Sequence, residues 1–446
     1  MKKDLTQGSV TKTMLLFAGP MILGNLLQQC YNIADTLIVG RFLGAKALAA
    51  VGSAYTLMTF LTSIIIGLCM GSGAVFSVYF GKKDLRQMKK SLSVSFLFIS
   101  VVTIMMNGVV FLLINTILRL LRVPADIFPL MHEYVWVIFW GIFFVFLYNY
   151  FAFLLRSIGN SVVPLCFLGI SAFLNIVMDL LFVIVFKLGV AGAAWATVIS
   201  QAISGIGIGV YTWFTAGELR PVKAELSIDK KTLKEIARNS VAACVQQSVM
   251  NFGILMIQGL VNSFGAVVMA AFAAAVKIDS FAYMPAQEFG NAFSLFISQN
   301  HGAGKRDRVE LGMKKAAKVS VLFCLLISLG IYILAPELME LFIDGNEREI
   351  ILTGVGYLRV EGTFYCGIGL LFLLYGFYRG VEKPEMSLVL TIISLGTRVF
   401  LAYTLAPVPA IGVWGIWWAI PIGWFLADMA GIFSIRKISG YRVRKS

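Results

Sequence analysis

Charge, histidine and catalytic pairings are all scarce in this chain. Charged residues fill 13% of its 446 positions, about half the share usual in a soluble domain. Only His132 and His301 supply imidazoles, and no HExxH, phosphate-binding glycine loop or Ser/His pairing occurs. These gaps leave a hydrolase or a nucleotide-driven machine without equipment. Cys30, Cys69, Cys166, Cys244, Cys324 and Cys366 are scattered through apolar stretches without metal-ligand spacing, so they read as small apolar residues. No metal, no cofactor and no enzymatic activity is expected.

Apolar sequence fills the space. Hydrophobic residues make up 59% of the chain, and apolar runs of about twenty residues, long enough for a hydrocarbon core of about 30 Å, recur throughout. Spans are expected near 15–39, 51–80, 91–118, 134–155, 161–186 and 190–214, then near 241–264, 275–300, 319–335, 352–378, 386–405 and 412–435. The first run is too long for a cleavable leader and lacks a small-residue cleavage site, so it counts as a span.

The two sets of six repeat one another. Gly189-Val190-Ala191-Gly192-Ala193-Ala194-Trp195-Ala196 returns as Gly412-Val413-Trp414-Gly415-Ile416-Trp417-Trp418-Ala419. The same offset carries Tyr134 onto Tyr357 and Arg156 onto Arg379, and a slightly shorter one carries Gly44-Ala45 onto Gly265-Ala266. The expected fold is all-α: twelve transmembrane helices in two pseudo-symmetric six-helix lobes, 1–214 and 215–446, related by an axis along the membrane normal. Such repeats suit alternating access, in which one bundle rocks against the other around a central site.

The net charge of +14 follows topology rather than nucleic acid. On one side the loops hold only Arg41, Lys46, Arg119, Arg122, Lys187 and Arg348. Lys277, Arg359 and Arg398 fall within spans, and every other Lys or Arg lies in the termini or the alternate loops. By the positive-inside rule both termini and the 215–240 linker are cytoplasmic, in a multi-pass protein of a bacterial inner membrane. The bilayer is the expected partner, nucleic acid is not, and a monomer is expected.

Polar groups inside spans are costly in lipid and mark function or helix pairing. On the first span Asn25, Gln28, Asn32 and Asp35 fall within about 80° of arc at 100° per residue. Pro20, on the same helix, removes a backbone hydrogen bond and is a candidate hinge. The fifth span puts Ser171, Asn175 and Asp179 on one face, and the sixth adds Thr197 and Gln201. Two carboxylates in one low-dielectric bundle cannot both stay ionised without compensation, by a proton or by a cation.

Gly19-Pro20, Tyr31-Asn32-Ile33-Ala34-Asp35-Thr36 and Val39-Gly40-Arg41-Phe42-Leu43-Gly44 resemble the first helix and loop of the multidrug and toxic compound extrusion (MATE) transporters. Arg156-Ser157-Ile158-Gly159-Asn160 through Pro164 resembles that family's connection between helices four and five, with Arg379-Gly380 as its partner in the second half. The resemblance implies a V-shaped, two-lobed antiporter. It also implies a cation-coupling site at Asp35, Asn175, Asp179 and Thr197, whose spacings match one branch of the family. The coupling ion is H⁺ or Na⁺, with H⁺ slightly favoured because paired carboxylates retain a proton.

The second half departs from this chemistry. Asn175 aligns with Arg398 and Asp179 with Ala402, while Lys277, Asp279, Glu288, Arg359, Glu361, Arg398 and Asp428 sit within its spans. Lys277 and Glu288 share a face but lie roughly 16 Å apart. A charge network of Lys277, Glu288, Glu361 and Arg398 is expected, with Glu361 or Glu288 pairing Arg398, and Asp428 is expected at the interface. Candidates for a substrate cavity between lobes are Gln28, Asn149, Tyr150, Gln247, Asn251, Met256, Tyr283 and Glu288. Aromatic rings, acids and a thioether suit organic, cationic and aromatic compounds. The leading reading is therefore multidrug efflux by a secondary antiporter. A lipid-linked oligosaccharide flippase of the same wider fold is the alternative, followed by a non-transport membrane enzyme or receptor.

Overall fold

The computed structural model describes residues 4–121, 123–220 and 229–435. Arg122, part of the 215–240 linker and the basic C-terminal stretch from Arg436 onward lie outside the described residues. Fourteen α-helices form the described chain, without a strand among these residues. The first half contains α1 (Val10–Leu43), α2 (Ala45–Lys82), α3 (Leu85–Leu120), α4 (Phe128–Trp140), α5 (Ile142–Ser157), α6 (Val162–Asp179) and α7 (Gly189–Thr215). The second half contains α8 (Lys230–Asn262), α9 (Ala266–Gly302), α10 (Arg306–Glu340), α11 (Arg348–Thr363), α12 (Tyr365–Gly380), α13 (Pro384–Leu405) and α14 (Trp414–Ile435).

Among the described residues ten helices are long and apolar enough to cross a membrane, α6 together with its π-helical extension counting as one, and two bent pairs, each taken as one span, bring the number up to twelve. The bent pairs are where the straight spans expected near 134–155 and 352–378 need correction. α4 and α5 meet at 44°, and α11 and α12 at 51°. The breaks fall at Gly141 and Phe364, the same offset that relates Tyr134 to Tyr357, so the bend itself is repeated. A Cβ on Gly141 would stand 3.0 Å from Val198 Cγ2 and 3.1 Å from Gln201 Oε1, which explains a glycine where α4–α5 turns against α7. By contrast α1 runs unbroken through Pro20.

Turn chemistry repeats as well. Gly44 (φ 87°) and Gly265 (φ 90°) occupy the turns before α2 and α9, in a backbone region that disfavours a side chain. Asp84 caps α3 by accepting from Gln87 N at 3.0 Å, a contact worth about 1 kcal/mol.

Contacts divide the described chain into two compact units, one built on Gly19–Cys244 and the other on Leu5–Ala18 with Val245–Ser446. Compared with a boundary at 214/215, each unit therefore takes in the opening stretch of the other half's first helix. In the first unit, Ser72 and Ser240 hydroxyls lie 2.8 Å apart, Tyr79 donates to Glu235 Oε2 at 2.7 Å, and Gln87 Nε2 donates to Thr232 Oγ1 at 2.9 Å. Gly67 and Gly71 leave no room for a Cβ beside the α8 backbone. In the second unit, Leu5 N donates to Gln299 Oε1 at 3.2 Å, and Asn300 and Arg308 donate to Leu5 O. Arg308 also reaches the carbonyls of Gln7 and Gly8.

Small residues let helices close up, as in membrane bundles generally. Within the second unit Gly376 meets the Gly290 carbonyl, and Gly423 meets the Ser394 carbonyl, with no space for a Cβ at either. Phe272, Tyr357 and Trp417 fill that unit's centre, Tyr357 and Trp417 edge to face at 4.9 Å between ring centroids.

Candidate functional site

The first unit brings together the polar groups of three spans. Asn175 and Asp179 are buried on α6, and Asn175 Nδ2 donates to Thr197 Oγ1 of α7 at 3.2 Å. Thr197 itself donates to the Ala193 carbonyl at 3.2 Å, one turn back on α7. Asp35 of α1 and Asp179 lie within hydrogen-bonding reach of each other. Directly after Asp179 the helix widens into a π-helical turn, Leu180–Val185, a feature that often marks functional positions.

What this cluster lacks is donors. Asp35 Oδ1, both Asp179 carboxylate oxygens, Asn175 Oδ1 and Gln201 Oε1 are buried without a hydrogen-bond partner. Five acceptor oxygens with nothing to accept cost free energy, and a positive guest is the natural remedy. Chemically the arrangement can hold one proton between two carboxyl groups, or a hard cation in an oxygen shell. No group of three or more His, Cys, Asp or Glu side chains among the described residues has the geometry to hold a metal ion.

Tyr31 and Tyr134 stand close to this centre, and Gln201 lies one helical turn beyond Thr197 on α7; none was among its expected members. Tyr31 and Tyr134 are electrostatic neighbours of both aspartates. Their signals were present: Gln201 follows Thr197 by one helical turn, Tyr31 precedes Asp35 by one, and Tyr134 recurs as Tyr357.

The expected cavity residues scatter. Tyr150 needs correction: it is buried in the first unit, donating to Leu92 O at 2.7 Å, with Phe76, Phe96, Phe146 and Phe151 around it. Its aromatic bulk serves core packing. Asn149 Nδ2 donates to the Val145 carbonyl of its own helix at 2.8 Å. Gln28 is exposed, and Gln247, Asn251 and Met256 are half-buried on α8. Tyr283 lines a cavity inside the second unit.

The second unit's charges also regroup. Lys277 is exposed and stands outside any buried network. Glu288 Oε1 accepts from Asn291 Nδ2 at 3.3 Å, and Asn291 Oδ1 accepts from Arg379 Nη2 at 3.0 Å, so Glu288 associates with Arg379 rather than Arg398. Arg398 and Glu361 line one cavity, yet no ion pair within 4.0 Å joins them among the described residues. Asp428 is buried on α14. Arg359 lies at the surface, its guanidinium 5.2 Å from the centroid of Tyr332.

Up to twelve spans in two repeated sets, with acids buried among them, define a multi-pass membrane protein built of two similar halves. The MatE family model matches residues 20–181 and again 242–404, once in each half. The chain belongs to the MatE family of transporters. It is 33% identical over 398 residues to the probable multidrug resistance protein YpnP of Bacillus subtilis, covering 88% of this chain and 87% of that one. The probable multidrug resistance protein YoeA of the same organism is 27% identical over 423 residues, covering 93% and 90%. Among solved structures, an outward-facing multidrug resistance MATE transporter of the MOP superfamily superposes with a TM-score of 0.91 at 23% identity, covering 99% of this chain and 98% of that one. That likeness concerns the fold.

Proposed function

We propose that this protein is a secondary antiporter that exports organic, cationic and aromatic compounds from a bacterial cytoplasm in exchange for inward H⁺. The observation that carries the reading is the Asp35–Asp179 pair among buried acceptor oxygens with no donor. Such a site is stabilised by a positive guest and left uncompensated without one, so its occupancy can bias the conformation of α1. Asp35 lies on the same unbroken helix as Pro20, the proposed hinge, and that helix passes from one compact unit to the other just before the proline. The multidrug resistance names of YpnP and YoeA support the substrate class.

Asn175 Oδ1 and Gln201 Oε1, neutral oxygens without donors, favour Na⁺ as a second reading of the same site. The flippase alternative calls for a strongly cationic centre. Here Lys277 is exposed and Arg398 shares its cavity with Asp279 and Glu361, which weighs against it. The lysine and arginine asymmetry supports an inner-membrane protein with both termini cytoplasmic. The test is ethidium efflux from membrane vesicles under a proton gradient and a sodium gradient imposed separately. Efflux driven by the proton gradient alone is expected; efflux driven only by sodium transfers the site to Na⁺, and transport of a lipid-linked sugar without efflux overturns the reading.

A further inference from the structure

Two thiols that the coupling site does not use meet inside the second unit, across α10 and α12. Cys324 of α10 is 3% exposed, and Cys366, in the first turn of α12, is half-buried. The Cys366 thiol donates to the Val321 carbonyl of α10 at 3.8 Å. In return, Cys324 Sγ lies against Gly369 of α12, where a Cβ would stand 2.6 Å from that sulfur and 2.8 Å from Ser320 Oγ. The two cysteines are electrostatic neighbours, and both are free thiols. Spacing along the chain conceals the pair, because α11 lies between them.

Each sulfur touches the opposite helix about one turn away from the other cysteine: Val321 precedes Cys324 by three residues, and Gly369 follows Cys366 by three. A direct S–S bond requires Cβ atoms within roughly 4.5 Å, and this stagger works against it. A bridging atom extends the reach. Thiolates select soft, thiophilic centres, and the adduct should carry no charge, since an unpaired charge among membrane-spanning helices is costly. Among the described residues no third Cys, His, Asp or Glu joins the pair in ligating geometry, so the matching centre has two exchangeable bonds. Trivalent arsenic with one organic group meets both demands, because its bis-thiolate is neutral and complete with two sulfurs. Inorganic As(III) would keep a third bond unfilled. Leu322 and Leu325, beside the pair on α10, are exposed, so the open side of this span faces lipid. An aryl group on arsenic suits that approach.

We propose that Cys324 and Cys366 together form a capture site for trivalent aryl arsenicals. One phenylarsine oxide takes up both thiols and releases one water. Two As–S bonds form, the arsenic–oxygen double bond is lost, both thiol protons leave on that oxygen, and arsenic stays trivalent. Capture ties α10 to the first turn of α12, directly after the break at Phe364. There the neighbouring Tyr365 hydroxyl donates to Asp279 Oδ1 of α9 at 2.6 Å, so the adduct holds the bend between α11 and α12. Capture does not depend on the direction or the coupling of transport.

Intact-mass measurement of the purified full-length protein with phenylarsine oxide, in excess β-mercaptoethanol, tests capture, because the competing monothiol strips arsenic from single cysteines. Wild type should hold one phenylarsenic group and release it to 2,3-dimercaptopropanol. Digestion should show that group linking the peptides that contain Cys324 and Cys366. Cys324→Ser and Cys366→Ser should each weaken capture at least about a hundredfold, the effective concentration that a second thiol supplies. Cys30→Ser and Cys166→Ser, which remove exposed thiols elsewhere, should retain it, and arsenite should bind wild type more weakly than phenylarsine oxide. No retained adduct in wild type, undiminished capture in Cys324→Ser or Cys366→Ser, loss of capture in Cys30→Ser or Cys166→Ser, or equally tight arsenite would each overturn the proposal. So would linkage of any other cysteine pair in wild type, an outcome that needs no variant to fold.

Discussion

Two identical substitutions should shift stability in opposite directions, because the glycines they replace meet different surroundings. At Gly71 in α2 an added Cβ would fall 2.6 Å from Ser240 Cα and onto the Asn239 carbonyl. Ordinary contact needs roughly 3.5 Å or more, so the start of α8 must retreat by about 1 Å. Overpacking of this kind costs about 1–3 kcal/mol. Retreat also threatens the 2.8 Å contact between Ser72 and Ser240 and the 2.7 Å bond from Tyr79 to Glu235, each worth about 1 kcal/mol. Gly71→Ala should therefore destabilise by about 2–4 kcal/mol. At Gly108 in α3 nothing lies within 4 Å of the new atom, and the better helix propensity of alanine should add about 0.5–1 kcal/mol. Thermal unfolding of both variants in one detergent, followed by intrinsic fluorescence, reads the difference. A Gly71→Ala protein as stable as wild type would refute the placement of Lys230–Cys244 against α2.

Further outcomes follow from single contacts. Arg308→Gln removes charged donors from the carbonyls of Leu5, Gln7 and Gly8; it should cost about 1–2 kcal/mol at this partly exposed site and speed amide exchange over residues 5–9, while unchanged exchange would deny the clasp. Asp229, ahead of α8, accepts from Lys231 N and Thr232 Oγ1, which hold its carboxyl below the usual carboxylate range. Because the folded form prefers the ionised state, this support is present above the unfolded value near pH 4 and fades as pH falls through the folded one. Asp229→Asn should thus fray the first turn of α8 at neutral pH and match wild type in acid, by pH-resolved amide exchange; equal protection at neutral pH would contradict it.

Hydropathy and the repeat made the twelve spans legible, because a long apolar run has few alternatives in lipid. The breaks at Gly141 and Phe364 were not, since mean hydropathy carries no information about direction and the clash that demands Gly141 involves α7 residues distant in sequence. Asp35, Asn175, Asp179 and Thr197 meet in the structure because polar residues on spans turn their faces inward together, a consequence of period and cost. Pairing among the second half's charges depended on helix neighbours that spacing does not reveal: Glu288 found Asn291 and Arg379, and Lys277 stayed at the surface. Tyr150 shows the limit for aromatic residues, whose composition fits a core and a drug site equally well.

Transport by Asp35→Asn and Asp179→Asn proteins in liposomes, under an imposed proton gradient and beside wild type, tests the central claim most directly. Asparagine keeps the size of each side chain and removes its charge. The account predicts that both variants retain a folded, monodisperse protein and lose gradient-driven ethidium movement, while wild type shows it. Gradient-driven transport at the wild-type rate in either variant would contradict it.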